Sequence, residues 1–477
     1  MKVAVCRKVV VFVAAVLVPG LIPAGLSGSG VVHAAGSQLI VNIDSPSFRK
    51  LATAIPVFAT SPGASAEVTK MARDGSAELG RLLIFSGMFN VMGEAAFRGI
   101  PATRPGAQLK GGKDLDGIDV VQWKSIGVES LTIGELALEP DGVALSLRTV
   151  DINRNVLILG KRYRKVTRDQ YVYVLRRYAD QILKAYTGKP GIFSTKLTFV
   201  GRKSKGANKQ IYISDFDGTN AVQITNRNVP HLSPNWSPDG RTVVFTSYED
   251  GNPDLFAYDV KSGAKRKLSG KKGINSGGNF SPKGNLVAFT GSQNQDTDIF
   301  LVPNQGGERR PFLTGQGLDV DPAFSPDGKW IAFVSGRFGN PHIFRGAVQW
   351  DGDGKPRVTD DKRLTYAGWW NATPAWAPES DKIAFAGYDK DIDRFDLFMM
   401  NPDGTVLERL TIRTGDNERP GWAPNGQLIV FQSNRIPGQN SRGVAQLWIM
   451  NRDGGSQRML NTGIYEATQP AWGPAVE

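Results

Sequence analysis

A short phrase built from proline, an aromatic residue and a turn recurs six times, with some variation, in the second half of this 477-residue chain. Its first copy reads PNWSPDG at residues 234–240. The aromatic position, which we call the anchor, is filled by Trp236, Phe280, Phe324, Trp376, Trp422 and Trp472. Successive anchors are separated by 44, 44, 52, 46 and 50 residues. Since repeats of about 40–50 residues are typical of four-stranded propeller blades, the spacing predicts six blades.

The residues after each anchor predict the strands of a blade. Each of the first five anchors is followed nine positions later by a phenylalanine that ends an apolar run, such as TVVF or WIAF. A second apolar run, such as DLFAYD, and a polar closing segment, such as LERLT, come next. We expect the anchors to pack between neighbouring blades, the prolines to fix φ beside them, and Asp-Gly to turn the chain. On this interpretation the phrase is structural and binds nothing itself.

The last anchor, Trp472, is followed by only five residues, GPAVE, which are too few to complete a blade. Three segments before the first anchor have blade character: KLTFVG, with Phe199 in the phenylalanine position, QIYISD and AVQIT. The sequence therefore predicts that the C-terminus supplies one strand of a shared blade and residues 196–225 supply the other three. Such a closure leaves no open sheet edge in the ring.

Residues 1–34 have the features of a secretory signal peptide. Basic residues precede an apolar run over residues 9–18, and Val32 and Ala34 fit a small-residue cleavage site. The run ends at a Pro-Gly pair, well short of the roughly 20 apolar residues of a membrane-spanning helix. Cys6, the single cysteine, lies before the run, where a lipoprotein signal would not place it. We predict cleavage after Ala34 and export to the periplasm without a transmembrane segment, a lipid anchor or disulfides.

The segment over residues 35–190 does not repeat and mixes helical with strand patterns. Apolar spacing predicts a helix beginning near Ala66, and a capping box of Thr167 and Gln170 predicts a second. Predicted strands cover residues 39–44, 130–138, 144–150 and 156–163. The fold class predicted is thus an α/β N-terminal domain followed by an all-β six-bladed β-propeller over residues 191–477, closed by the shared blade.

The chain is basic, with a formal charge of +12. The predicted signal peptide contains three basic residues and no acidic ones, which leaves +9 on the remainder. Basic clusters occur at residues 161–165, 202–209 and 265–272, and no nucleic-acid-binding motif accompanies them. We predict no nucleic-acid partner. The clusters are interpreted as solvated loop charge, with attraction to an acidic partner or an envelope surface as the alternative.

Two stretches outside the repeats carry a resemblance to a known family. They read WKSIGVESLTIGEL at residues 123–136 and RRYADQILKAYTGKPGIFSTKLTFV at residues 176–200. Together with the exported α/β domain and the PxWSPDG repeats, they make the whole mature chain resemble the TolB family, the periplasmic components of the Tol–Pal system. Departures at Gly278, Lys283 and Glu379-Ser380 replace a proline, an aspartate and an Asp-Gly pair, and they affect single turns.

The resemblance implies a binding protein rather than an enzyme, with no cofactor. TolB-like proteins bind Pal, the peptidoglycan-associated lipoprotein, on one face of the propeller, and they engage TolA through the extreme N-terminus. The Tol–Pal system supports outer-membrane integrity and constriction during cell division. We therefore expect a monomer that binds Pal and TolA, with other envelope proteins as further candidates.

The loops that lead into the anchors are predicted to form the Pal-binding surface, because they converge at one mouth of the channel. Assigned by loop position, these residues are His231, Ser233, Asn275, Gly277, Asp319, Asp321, Asn371, Thr373, Glu418, Arg419, Thr468 and Gln469. His231 is interpreted as a surface loop residue. Asp319 and Asp321 together are a weak candidate for holding a cation, and no metal site is predicted.

The predicted TolA-binding segment consists of Leu39, Ile40, Val41, Asn42 and Ile43. Its alternating apolar residues fit an edge strand within the α/β domain. They equally fit a strand that detaches and adds to the sheet of another protein. The family resemblance favours the second interpretation.

Two other classes of function are alternatives to a scaffold: a propeller peptidase and a peptide- or sugar-binding propeller. A propeller peptidase needs a nucleophile elbow of the Gly-x-Ser-x-Gly type, which is absent from the sequence, and the chain after residue 34 offers only His231 and His342 as histidine bases. The repeats alone do not separate a scaffold from a peptide- or sugar-binding propeller. The α/β domain argues for the scaffold.

Overall fold

The structure is a computed structural model that describes residues 49–103, 115, 117–293, 296–412, 415–439 and 441–475. The predicted signal peptide, its cleavage site and the predicted TolA-binding segment lie outside the described residues. The described chain forms one six-stranded sheet with helices, followed by six four-stranded sheets. None of the described helices combines the length and apolar character that a membrane crossing requires.

The N-terminal sheet is mixed. Its strands are β1 (Leu51–Ala54), β2 (Ala59–Thr60), β3 (Phe89–Val91), β4 (Ser130–Glu139), β5 (Gly142–Asp151) and β6 (Val156–Val166). Its helices are α1 (Ala66–Phe85), α2 (Val120–Ser125) and α3 (Arg168–Thr187), with a 3₁₀ turn at Glu94–Phe97. The strand order is β3-β1-β4-β5-β6, with β2 beside β4; β1 pairs parallel with β3 and β4, whereas β4, β5 and β6 are antiparallel. The predicted α/β character and the two long helices are confirmed.

Local sequence signals explain where the long helices begin and end. The Ser65 hydroxyl accepts a hydrogen bond from the Val68 amide at 3.3 Å and caps α1. The predicted capping box is present at α3, where the Thr167 amide donates to Oε1 of Gln170 at 3.3 Å. Gly188 ends α3 in the left-handed conformation, with φ of 71°. The apolar faces of both helices pack into one core against the sheet.

The propeller begins with β7 (Lys196–Arg202), β8 (Gln210–Asp215) and β9 (Val222–Gln223). Blade 1 contains β10 (His231–Trp236), β11 (Thr242–Ser247), β12 (Asp254–Asp259) and β13 (Lys265–Ser269). Blade 2 contains β14 (Asn275–Phe280), β15 (Leu286–Gln293), β16 (Asp296–Pro303) and β17 (Arg310–Leu313). Blade 3 contains β18 (Asp319–Phe324), β19 (Trp330–Ser335), β20 (His342–Trp350) and β21 (Pro356–Arg363).

Blade 4 contains β22 (Trp370–Trp376), β23 (Ile383–Asp389), β24 (Arg394–Met400) and β25 (Glu408–Arg409). Blade 5 contains β26 (Asn417–Trp422), β27 (Leu428–Arg435), β28 (Arg442–Asn451) and β29 (Arg458–Met459). The last strand, β30 (Glu466–Trp472), pairs antiparallel with β7, and blade 6 has the order β30-β7-β8-β9. This pairing of the two ends of the propeller is the closure that the sequence predicts. The six-bladed architecture is confirmed.

The anchors pack between blades, as expected from the repeat. Each retains between 5% and 8% of its accessible surface. The indole N–H of Trp376 donates to the Ala323 carbonyl of the preceding blade at 2.9 Å, and that of Trp422 donates to the Ala375 carbonyl at 3.1 Å. At these two anchors a large buried ring fills the gap between two sheets while its polar atom is hydrogen-bonded.

The N-terminal domain packs against blade 6 through a shared apolar core and ion pairs. Phe216, which follows β8, makes edge-on contacts with Phe85 of α1 and Phe193, at ring-centroid distances of 4.8 and 5.3 Å. Arg176 of α3 donates to Asp215 at 2.8 Å. The α1 helix therefore contacts the blade that also closes the ring.

Candidate partner-binding mouth of the propeller

The innermost strand of every blade has the same pattern of burial. Counting back from the anchor, the residues two and five positions before it are buried, whereas the residue three positions before it is only partly buried. The pairing with the second strand shifts register at this point in all six blades, as between Leu232 and Asn235 in blade 1. A β-bulge therefore re-aims one residue per blade at the mouth of the channel.

We call these six residues the mouth ring: Ser233, Gly277, Asp321, Thr373, Arg419 and Gln469. All six have positive φ, between 51° and 69°. Five of them are not glycine, although the left-handed conformation costs a residue with a Cβ roughly 1–2 kcal/mol. Backbone strain of this kind recurs where the surrounding structure holds it in place and is often found at functional sites.

The mouth ring and the prolines beside it line a cavity of about 240 Å³ in the central channel. Hydrogen bonds join the ring to neighbouring blades. The Ser233 amide donates to Oε1 of Gln469 at 2.6 Å, and the Gln469 amide donates to Oε1 of Gln432 at 2.9 Å. The Asp321 amide donates to the Thr290 hydroxyl of blade 2 at 3.2 Å. These bonds hold the backbone at three of the six ring positions.

Charge at the mouth is sparse and mixed. The ring itself carries one anion, Asp321, and one cation, Arg419. Glu418 lies beside the ring, where Nε2 of Gln432 donates to its Oε1 at 3.3 Å. Burial raises the pKa of Glu418, against the opposing effects of the Arg419 charge and this hydrogen bond. The mouth therefore offers a partner both hydrogen-bonding groups and two opposite charges.

Four of the predicted mouth residues do not face the mouth. His231, Asn275, Asp319 and Asn371 are the first or second residues of their innermost strands and retain at most 3% of their accessible surface. The expectation that they lie in exposed loops is wrong. The physical reason is that each lies five positions before its anchor, where the side chain makes buried hydrogen bonds within its blade or to the preceding blade, as Nδ2 of Asn371 does with Nδ1 of His342 at 3.0 Å.

His231 shows what these buried residues do. Its Nδ1 lies 3.0 Å from the Val229 carbonyl, and its Nε2 lies 3.0 Å from Oε1 of Glu249. Its interpretation as a surface residue is therefore corrected. In blade 2, Oδ1 of Asn275 accepts a hydrogen bond from the Ser269 hydroxyl of blade 1 at 2.8 Å. These side chains satisfy buried polar groups within a blade or between neighbouring blades.

Asp319 is likewise committed to its own blade. Its carboxylate accepts from Nη2 of Arg337 at 3.2 Å, and burial raises its pKa despite this arginine. It therefore does not join Asp321 at the mouth, and the weak expectation of a shared cation site there is not supported. Within the described ranges, no group of three histidine, cysteine, aspartate or glutamate side chains is placed to hold a metal ion.

Two predicted mouth residues, Glu418 and Thr468, lie four positions before their anchors, whereas the corresponding residues of the other four blades lie five positions before. Thr468 is buried, with 6% of its surface accessible. In blade 5 the residue equivalent to His231 is Asn417, whose Nδ2 donates to Oδ1 of buried Asp396 at 3.1 Å. Counting five positions back from Trp422 would have identified it. Gln432 and Thr290 come from second strands, and no sequence signal pointed to them.

Comparisons with known proteins match both the propeller and the longer architecture. A family model described as the TolB beta propeller domain, PD40, matches residues 183–476. The Tol-Pal system protein TolB of Hydrogenovibrio crunogenus is 36% identical over 399 residues, which cover 83% of this chain and 86% of that protein. The residues matched by the family model include the mouth ring.

Two further similarities are consistent with these matches. The Tol-Pal system protein TolB of Desulfosudis oleivorans is 35% identical over 235 residues, 49% of this chain and 51% of that protein, so this match spans about half of the relative's length. The crystal structure of TolB from Acinetobacter baumannii has the same fold, with a TM-score of 0.73 at 24% identity over 90% of this chain and 97% of that one. Since the family model covers more than half of the chain, and one relative at 36% identity covers most of it, the chain belongs to the TolB family of Tol-Pal system proteins.

Proposed function

We propose that this protein is a non-enzymatic periplasmic scaffold of the Tol–Pal system. It binds the lipoprotein Pal at the mouth ring and TolA through the segment at residues 39–43, and it supports outer-membrane integrity and constriction during cell division. Family membership supports the system to which it belongs. The six-fold repetition of a strained, hydrogen-bonded ring at one mouth of the channel is the single observation that carries the choice of surface.

The ring suits a protein partner because it is preorganised. Its backbone is held by bulges and inter-blade hydrogen bonds, so little conformational entropy is lost when a partner docks. Its side chains are small or polar. Asp321 can face a positive charge on the partner, and Arg419 can face a negative one. Complementary charges of this kind fix orientation and speed association.

The burial of both described histidines argues against a hydrolase. His231 and His342 retain 0% and 4% of their accessible surface, so neither reaches a substrate from its present position. Burial lowers the pKa of His342, and the positive charge of Arg363 lowers it further. A general base must contact the proton that it removes, which these two residues cannot do without rearrangement of their blades.

Charge reversal at the ring tests the Pal site. The double variant Asp321→Arg with Arg419→Glu is expected to weaken Pal binding by at least about tenfold in calorimetric titration. Each reversed side chain would then face a group of the same charge on Pal and repel it. Its melting temperature should stay close to that of the unmodified protein. We expect fewer than half of the twelve predicted mouth residues to affect affinity strongly.

A matched control carries the same change of charge away from the ring. Lys261 and Asp353 lie in exposed turns between the third and fourth strands of blades 1 and 3, at the opposite end of the strands. Lys261→Glu with Asp353→Arg should leave Pal affinity unchanged. Equal affinity of both double variants for Pal would place the Pal site elsewhere.

Deletion tests the TolA segment. A mature chain lacking residues 35–43 should lose TolA binding and retain Pal binding, because the β-augmenting segment is gone while the propeller is intact. Unfolding of the N-terminal domain in this variant would instead make the segment a structural strand. TolA binding by the folded, shortened protein would place the TolA site elsewhere.

If both partners bind, their effects on each other must be reciprocal. Should Pal at the mouth ring change the affinity for TolA, TolA must change the affinity for Pal by the same factor. Calorimetric titration of each partner in the absence and presence of the other measures both factors.

A further inference from the structure

A cleft of about 680 Å³ opens in blade 4, away from the mouth ring. It lies between residues 364–369, which lead into β22, and the strands β23 and β24. We call it the blade 4 cleft. Its volume falls in the range of about 300–1,000 Å³ that small-molecule sites occupy.

The loop at the entrance distinguishes this blade from the others. Tyr366 and Trp369 line the cleft, and they keep 75% and 49% of their surface accessible. The corresponding loops that lead into the other five innermost strands contain at most one aromatic residue, Tyr465 before β30. Exposed aromatic rings gathered at a concave opening are typical of binding sites rather than of ordinary surface.

The interior of the blade 4 cleft is apolar and its rim is charged. Phe385 and Phe398 stack at a centroid distance of 5.6 Å on the cleft wall. Asp389 ends β23, Lys390 and Asp391 follow it in the turn, and all three line the cleft. Such a surface complements a ligand that has an apolar face and a polar edge.

The fully exposed charges at the rim of the blade 4 cleft are opposite in sign. Lys390 and Asp391 are exposed, and the lining also includes Asp389 and Arg409. Arg409 is committed within the blade, since its Nε donates to Oδ2 of buried Asp396 at 3.1 Å. The ammonium of Lys390 lies 5.0 Å from the centre of the Trp369 ring. An adjacent exposed anion and cation at the rim offer both a hydrogen-bond acceptor and a donor, which suits an uncharged polar ligand.

We propose that the blade 4 cleft binds a neutral saccharide. The C–H face of a sugar ring stacks on Trp369, and its hydroxyl groups donate hydrogen bonds to the carboxylates of Asp389 and Asp391. Lys390 moves from the Trp369 ring to the edge of the sugar, where its ammonium donates to a hydroxyl oxygen. The same chemistry would recognise a free oligosaccharide or a segment of a longer envelope glycan.

Calorimetric titration of the mature protein with two neutral probes, chitotetraose and maltotetraose, tests this proposal. We expect at least one to bind with a dissociation constant on the order of 1 mM or below. Trp369→Ala should weaken that binding by at least about tenfold, because the stacking surface is lost. Asp391→Asn should weaken it by about three- to tenfold, because one charged acceptor is lost.

Trp370 provides the matched control. It is adjacent in sequence and has 45% of its surface accessible, but it does not line the cleft. Trp370→Ala should change the affinity by less than about twofold. All three variants should melt like the unmodified protein and keep their affinity for Pal, so failure here is distinguishable from failure of the proposed scaffold function.

Co-sedimentation with insoluble chitin separates the two sources of ligand. Retention of the unmodified protein on chitin, lost in Trp369→Ala, supports a site that accepts the interior of a glycan chain. Binding of the soluble tetrasaccharide alone supports a site for free oligosaccharides. The proposal is overturned if neither tetrasaccharide binds up to about 50 mM, or if Trp370→Ala weakens binding as much as Trp369→Ala. Binding of a trilysine peptide in place of both sugars would likewise overturn it and indicate a protein-docking cleft.

Discussion

Blades 4 and 6 have the same four-stranded plan, and they differ in what covers them. Blade 6 is assembled from both ends of the propeller and contacts the N-terminal domain, with Phe216 packed against Phe85 and Asp217 accepting from Arg81 at 2.8 Å. Blade 4 is continuous in sequence and keeps an open cleft bordered by Tyr366 and Trp369. The difference shows that residues outside the core of one repeat decide whether the blade packs against another domain or keeps an open cleft.

The contrast extends to charge. At blade 6, Asp215 retains 4% of its side-chain surface and accepts hydrogen bonds from Arg176, Lys196 and Asn220. Around the blade 4 cleft, Lys390 and Asp391 are exposed. Buried, paired charges make a contact specific in geometry, and breaking such a pair is strongly destabilising. Exposed charges contribute little to stability and remain available to a ligand.

The largest effect is expected from breaking blade 6. Deleting residues 469–477 removes much of β30 together with Trp472. Truncating one buried tryptophan to alanine already costs about 3–5 kcal/mol of stability. The whole free energy of unfolding of a native protein is only about 5–15 kcal/mol. We expect the propeller to lose its cooperative unfolding transition, as measured by circular dichroism during heating. Deleting only residues 476–477 is the control, and an unchanged transition in the longer deletion would contradict the role of β30 in closure.

A smaller but still large effect is expected at the junction. Asp215→Asn leaves the guanidinium of Arg176 without its anionic partner. We expect a loss of about 3 kcal/mol in the free energy of unfolding at pH 7, at the lower end for a buried pair because Lys196 is half exposed. Asp381→Asn, which breaks the more exposed pair with Arg452, should cost no more than about 1 kcal/mol. Equal losses in the two variants would contradict the distinction between junction and surface.

The loss of stability caused by Asp215→Asn is expected to become smaller at low pH. Burial alone would raise the pKa of Asp215, but hydrogen bonds from Lys196, Asn220 and Arg176 outweigh burial and lower it. A carboxyl group whose pKa is lowered by folding stabilises the folded protein at pH values above its unfolded pKa of about 3.9. This stabilisation is lost as the pH falls through the pKa of the group in the folded protein. Denaturation at pH 7 and pH 3 should therefore show the unmodified protein and Asp215→Asn converging at low pH. A constant difference would contradict the assignment.

The mouth ring allows the two blades to be compared at one backbone position. Thr373 of blade 4 has φ of 52°, and its hydroxyl has no hydrogen-bond partner among the described groups. Thr373→Gly should therefore stabilise by about 0.5–1 kcal/mol, since relief of the left-handed strain exceeds the entropic cost of glycine. Gln469→Gly of blade 6 should instead destabilise by about 1 kcal/mol, because the Ser233 amide loses its acceptor. Chemical denaturation that shows the same sign for both would contradict this account.

The smallest effect is expected at the cleft. Trp369→Ala should change the free energy of unfolding by no more than about 0.5 kcal/mol, because the side chain is half exposed. Trp376→Ala, only seven positions away at the anchor, should cost about 3–5 kcal/mol. A large loss at Trp369 in chemical denaturation would make the aromatic loop part of the blade core rather than a binding surface.

Much of this architecture was predictable because its signals are local or periodic. The anchor spacing predicts six blades, and the short tail after Trp472 predicts pairing with an upstream strand. Thr167, Gln170 and Gly188 mark the ends of α3 through hydrogen bonds and a backbone conformation that involve only neighbouring residues. The mouth residues were predicted less well. Loop position alone does not tell which of several adjacent side chains faces the channel.

Periodicity and turn chemistry in the chain are therefore sufficient for the number of blades, the anchors and the helix ends. The bulge that turns Asp321 toward the channel while Asp319 remains buried is set by pairing with β19, a contact between strands rather than a property of either residue. The blade 4 cleft likewise exists only because the loop before β22 lies beside β23 and β24. Such contacts arise when separate strands pack into blades, and packing depends on the whole fold rather than on the order of neighbouring residues.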